Sequence, residues 1–168
     1  MSNIISFDNS ISKTQPLVMS NGLSDVFIDV LVLAGSYLAK QSYEKELIVW
    51  LAEKDQSVVG IGTIGFDVVE MPWQLQYFEK QKSFLLKTIH FAINRTGWEN
   101  LEYEPTNIVP DLKQFEMMII SISTDDIIQE NRSEWLNEAD ENDPVKCGFP
   151  YCQKHNVLLS CFGCKICR

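Results

Sequence analysis

The stretch Trp73–Arg95, WQLQYFEKQKSFLLKTIHFAINR, carries the clearest periodicity in the chain. Tyr77, Gln81, Phe84, Leu85, Thr88, Ile89, Ala92 and Ile93 recur at spacings of three and four, which puts them on one face of an α-helix. Leu86 and Phe91 widen that face, so the helix is expected to be central and wrapped by others. Pro72 stands before it, and Thr96 and Gly97 close it, with Gly97 read as the residue just past the last turn. His90 lies one step off the apolar face and reads as a boundary residue rather than a base.

Outward from this helix the chain keeps a helical period. Upstream, Ser24 reads as an N-cap for a helix whose buried face carries Phe27, Val30, Leu31, Ala34, Tyr37 and Leu38. Gly35 inside that pattern weakens the helix, and a close helix–helix contact would explain it. Ser42 reads as the cap of a second helix buried through Leu47, Trp50 and Leu51. Downstream, Thr106 reads as a cap, with Pro110 in the first turn and a stripe of Leu112, Phe115, Ile119 and Ile122. Thr124 opens a last, acidic helix running to about Asn137. The expected fold class is mainly α, a helical bundle of about five helices with a small C-terminal zinc-knuckle-like appendage. The expected division is a flexible N-terminal arm over 1–22, a helical domain over 23–139 and a cysteine-rich metal-binding tail over 140–168.

Composition narrows the partners. The chain has 168 residues and a net charge of −9. Residues 144–168 hold Lys146, Lys154, Lys165 and Arg168 and no acid, so the remainder is more acidic than the whole. An acidic body argues against duplex nucleic acid or an anionic membrane as the main partner, and favours either basic partners or simply solubility. The N-terminal residues lack a basic start and a continuous apolar stretch, and the most apolar run is short and broken by Asp29. The expectation is a cytoplasmic protein that does not enter a membrane. All five cysteines follow residue 146, which in a reducing compartment points to metal binding rather than a disulfide framework.

The tail reads CQKHNVLLSCFGCKIC from Cys152 to Cys167. Cys152-x2-His155 and Cys164-x2-Cys167 are two short pairs joined by a short loop, the arrangement a tetrahedral zinc ion needs. Gly163 fits a tight knuckle before Cys164, and Leu158, Leu159 and Phe162 are expected to form a small apolar cluster under the finger. A stretch this short needs such a staple to fold. Cys147 or Cys161 stands as an alternative ligand. A full set of four ligands and a tail without carboxylates argue for structural Zn2+ rather than a catalytic ion. No catalytic residues emerge. The glycines at 60, 62 and 65 match neither the dinucleotide fingerprint nor the P-loop, so an enzyme site near 60–67 is only an alternative. Asp67, Glu102 and Glu104 read as turn and capping residues.

On these residues the tail resembles zinc-knuckle or zinc-ribbon-like fingers, a likeness that implies a metal and no activity. In its acidity and size the chain also resembles the immunity proteins of bacterial toxin systems. That resemblance implies an inhibitor of a basic, nuclease-like toxin, docking through an acidic surface. The residues expected to form it are Asp125, Asp126, Glu130, Glu134 and Glu138. A nucleic-acid-binding finger, with Phe149, Tyr151 and Phe162 as stacking groups, is the competing expectation.

Overall fold

The structure is a computed structural model that describes residues 3–8 and 14–167. Five α-helices form the body: α1 (Asn21–Leu38), α2 (Ser42–Ala52), α3 (Phe78–Ile93), α4 (Val109–Ser121) and α5 (Gln129–Glu138). A small sheet adds β1 (Ile4–Ser6), β2 (Leu17–Val18) and β3 (Phe66–Asp67) in the order β2-β1-β3. Ile5 lies opposite Leu17 in the antiparallel pair and opposite Phe66 in the parallel one. The mainly helical class is therefore as expected.

The helix with the clearest sequence pattern is not the most enclosed one. Gln81, Phe84, Leu85, Thr88, Ile89 and Ala92 of α3 are buried as the periodicity required, and α3 packs on both α1 and α4. Lys80, Ser83, Lys87 and His90 keep its other side exposed. In α1, every residue from Phe27 to Ser36 is buried, so this helix is the core helix and packs on α2 and α3. At 18 residues it is also long and apolar enough to cross a membrane, a property the break at Asp29 obscured, and 61% of it is buried inside the fold.

Several boundaries differ from the sequence reading, each for a hydrogen-bonding reason. Ser20, not Ser24, caps α1: its hydroxyl accepts the N–H of Leu23 at 3.2 Å, while buried Ser24 donates to the carbonyl of Asn21. At α2 the cap is Gln41, and the Glu44 carboxylate accepts the N–H groups of Lys40 and Gln41 at 2.8 and 2.9 Å. Trp73 stays outside α3 because its buried indole donates to the carbonyl of Val68 at 2.9 Å. At the far end Arg95, with φ 69°, takes the left-handed position expected of Gly97. The N–H of Thr96 then reaches the carbonyl of Phe91, and that of Arg95 the carbonyl of Ala92. Thr106 is exposed and caps nothing, since α4 starts from Ile108. Ahead of α5, Ser123 and not Thr124 opens the short 3-10 turn Thr124–Asp126.

The N-terminal segment expected as a loose arm supplies two strands, and Ile5, Phe7, Leu17 and Met19 are buried. Its apolar residues alternate in pairs too short to register as a pattern within a polar stretch. Residues 1, 2 and 9–13 of that expected arm lie outside the described residues.

The expected close approach at Gly35 is present. A Cβ there would lie 2.1 Å from Cδ1 and 2.5 Å from Cγ1 of Ile48, a fully buried side chain of α2. Gly35→Ala is expected to lower stability by about 1–2 kcal/mol despite alanine's better helix propensity. In an Ile48→Ala background the same change is expected to be neutral or stabilising; urea unfolding of the four proteins measures the coupling.

Candidate metal centre

The tail does not hang from the body. Val157 and Leu158 enter the main core, and the N–H of Leu158 donates to the buried hydroxyl of Ser36 on α1 at 3.0 Å. Leu159 and Phe162, expected beside Leu158, are only half-buried. Between them the chain makes a tight turn in which Ser160 and Gly163 exchange backbone hydrogen bonds at 3.1 and 2.9 Å. Gly163 has φ +87° in this turn, and that is its role.

This path brings Cys152, His155, Cys164 and Cys167 together, with one donor atom of each within 4.8 Å of the others. The thiol sulfurs of Cys152 and Cys167 are 3.5 Å apart. His155 Nδ1 lies 3.8 Å from Cys152 Sγ, 3.7 Å from Cys164 Sγ and 3.2 Å from Cys167 Sγ. A tetrahedral zinc ion with ordinary bond lengths needs sulfur–sulfur edges of about 3.8 Å and sulfur–nitrogen edges of about 3.5 Å. The donor set therefore fits zinc, through Nδ1 of the histidine.

Each half of the site begins with a cysteine whose sulfur faces backbone N–H groups two and three residues further on. The N–H groups of His155 and Lys154 point at Cys152 and hold its thiol down to about 6. Asn156, with φ 55°, turns the chain back, and its N–H reaches the carbonyl of Cys152 at 2.8 Å. In the other half the N–H of Ile166 donates to Cys164 Sγ at 3.4 Å. Burial dominates there and pushes the Cys164 thiol up to about 11. At neutral pH, Cys152 is thus ready to bind metal, whereas Cys164 must release a proton first.

The two spare cysteines point elsewhere. Cys147 donates to the carbonyl of Glu141 at 3.5 Å. Cys161 faces Glu53 and Asp143, and burial pushes its thiol up to about 12 and the Glu53 carboxyl up to about 7. Cys164 and Cys167 are thus gathered with Cys152 and His155, and not with Cys161.

Lys165, which the sequence shows only as one of the basic residues of the tail, lies between two of the ligands. Its ammonium is buried and pairs with Asp25 at 2.9 Å, Asp29 at 2.7 Å and also Asp55. Tyr103 donates its hydroxyl to Asp29 at 2.6 Å. Burial disfavours the ammonium, but Asp29, Asp55 and Asp25 outweigh it and raise its pKa. Burial also opposes the Asp55 charge, and hydrogen bonds with Asp25, Lys165 and Ser57 overcome it, holding that carboxyl well below its usual range. Such a lysine is no longer available to a phosphate, and Arg168 of the basic tail lies outside the described residues. Of the expected stacking groups, Phe149 and Tyr151 pack partly against the core.

The acidic residues are placed differently from one another. Asp125, Glu130, Glu134 and Glu138 are exposed. Asp126 is spent on local structure, accepting the N–H and hydroxyl of Ser123 at 2.9 and 3.2 Å. The segment 60–67 builds turns and β3. Asp67 caps the turn after it, accepting the N–H of Val69 at 3.0 Å and the Ser6 hydroxyl at 3.0 Å. Glu104 pairs with Arg95 and His90 with Glu116, both at the surface.

Comparison with protein-family models, with curated proteins and with solved structures finds no match.

His155→Ala and Cys164→Ser are each expected to weaken zinc binding at least about 100-fold, and Cys147→Ser to leave it unchanged, in competition with a chromophoric chelator. Affinity is expected to fall at least about tenfold for each pH unit of acidification below neutrality, because the Cys164 proton competes with the metal, and more steeply below about pH 6, where Cys152 takes up a proton as well. Lys165→Met, which strands three carboxylates, is expected to cost about 3–5 kcal/mol in urea unfolding.

Proposed function

We propose that this chain is a protein-binding module, an immunity-type inhibitor that masks a basic, nuclease-like toxin, with a structural zinc ion stapling its tail. The proposal places it in the bacterial cytoplasm, where a newly made toxin would have to be neutralised. The observation that carries it is the ridge along α5. Glu130, Glu134 and Glu138 follow one another at intervals of four residues, which aligns them on one face of the helix. All three are exposed, with Asp125 before them and Asp140 and Glu141 after them. Among the described residues no ion pair ties up Glu130, Glu134 or Glu138.

The other side of α5 is fastened. Arg132 grips Glu46 of α2 with two hydrogen bonds at 2.7 and 3.0 Å, and Trp135 donates to Glu53 at 2.7 Å. Asn131 donates to the carbonyl of Val69 at 3.0 Å. Arg132, the one basic residue of this helix, and its acidic ridge therefore have separate work. A surface of this kind suits a partner that presents lysines and arginines, as a protein that binds nucleic acid does.

The test is binding to the product of the gene encoded beside this one. The complex is expected to weaken as salt is raised, and the triple variant E130Q/E134Q/E138Q to bind at least about tenfold less tightly at low salt. Equal affinity of the variant and the wild type would remove the acidic ridge as the docking surface.

A further inference from the structure

The turn that carries Cys161 makes a second gathering of metal donors. Glu53 is the residue that ends α2, and Asp143 opens the short turn Pro144–Lys146. One donor atom each from Cys161, Glu53 and Asp143 lies within 4.8 Å of the other two. The three come from separate parts of the chain, so no single local turn accounts for their meeting.

Their surroundings favour a cation. Among the described residues no lysine, arginine or histidine forms an ion pair with Glu53 or Asp143. One oxygen of Glu53 is held from outside the cluster by the Trp135 indole N–H at 2.7 Å. Asp143 Oδ1 accepts the N–H of Val145 at 3.1 Å. Trp135 thus orients one oxygen of Glu53 and Val145 one of Asp143, the outer arrangement that metal-binding carboxylates share, while the Cys161 thiol donates to Glu53, a hydrogen bond that a metal would replace when the thiol loses its proton. The nearest four-ligand cysteine, Cys164, follows Cys161 across the turn and faces His155 instead.

We propose that Cys161, Glu53 and Asp143 form a second divalent-metal site, separate from the four-ligand centre. One thiolate with two carboxylates suits a zinc-class ion and disfavours magnesium or calcium, which take oxygen donors only. Binding requires the Cys161 thiol to lose its proton to solvent. Three protein donors leave one tetrahedral corner for a water ligand. The inference is independent of the acidic-ridge reading.

The experiment is metal loading of the full chain with zinc and with cobalt(II), read by native mass spectrometry and by the cobalt absorption spectrum. Wild type is expected to bind two ions. Cys161→Ser, Glu53→Gln and Asp143→Asn are each expected to bind one, with the spectrum of the four-ligand centre unchanged. The glutamine and asparagine variants keep the shape and an acceptor oxygen, so they separate metal loss from misfolding. A single ion in the wild type, or two ions in all three variants, overturns the proposal.

Discussion

One buried ammonium joins the two parts of this molecule. Lys165 sits between metal-site cysteines and places its charge among Asp25, Asp29 and Asp55. The knuckle geometry makes this placement obligatory. Backbone N–H groups of Ile166 and Cys167 face the Cys164 sulfur, so the backbone around Lys165 is fixed by the metal ligands on either side. The side chain is left one direction, toward α1 and the segment after α2. A buried ion cluster adds little net stability by itself, since desolvation offsets attraction, yet removing one member is costly. Its value here is registry: the tail has one position in which that charge is satisfied.

The same constraint explains the acids inside α1. Asp25 and Asp29 are one helical turn apart and so share a face. Asp29 lies within the run from Phe27 to Ser36 that is buried throughout, and there Lys165 pairs with it and Tyr103 donates to it. The metal site and the core helix are therefore coupled.

Periodicity carried much of this fold in the sequence. The face of α3, the stripe of α4 and the small residue at Gly35 could all be read because burial repeats with the helical period, or because a glycine in a helix demands a reason. The four metal ligands were legible as well, since two pairs at fixed spacing are a local feature. Capping was not: Ser20, Ser24, Ser42 and Thr106 look alike in sequence, and only the tertiary path decides which hydroxyl meets a free N–H. The strands at Ile4–Ser6 and Leu17–Val18 were hidden because they are short and pair with distant residues. The meeting of Lys165 with Asp25, Asp29 and Asp55 spans most of the chain. A lysine between two ligands and an aspartate inside an apolar run were its traces, but nothing local linked them.

The acidic helix depends on a different kind of bond. No residue of α5 is fully buried, and its apolar contact with the core is the partial packing of Trp135. Glu46 and Glu53 of α2 receive Arg132 and Trp135, and these polar contacts set its orientation. Glu53 also faces Cys161 of the tail, so the end of α2, helix α5 and the turn that carries Cys161 converge on one carboxylate. A helix attached through hydrogen bonds at the surface belongs to the less stable part of a fold and adjusts more readily than the core. The two parts are thus held differently: the tail through core packing and the buried ion cluster, the acidic helix chiefly through polar contacts at the surface.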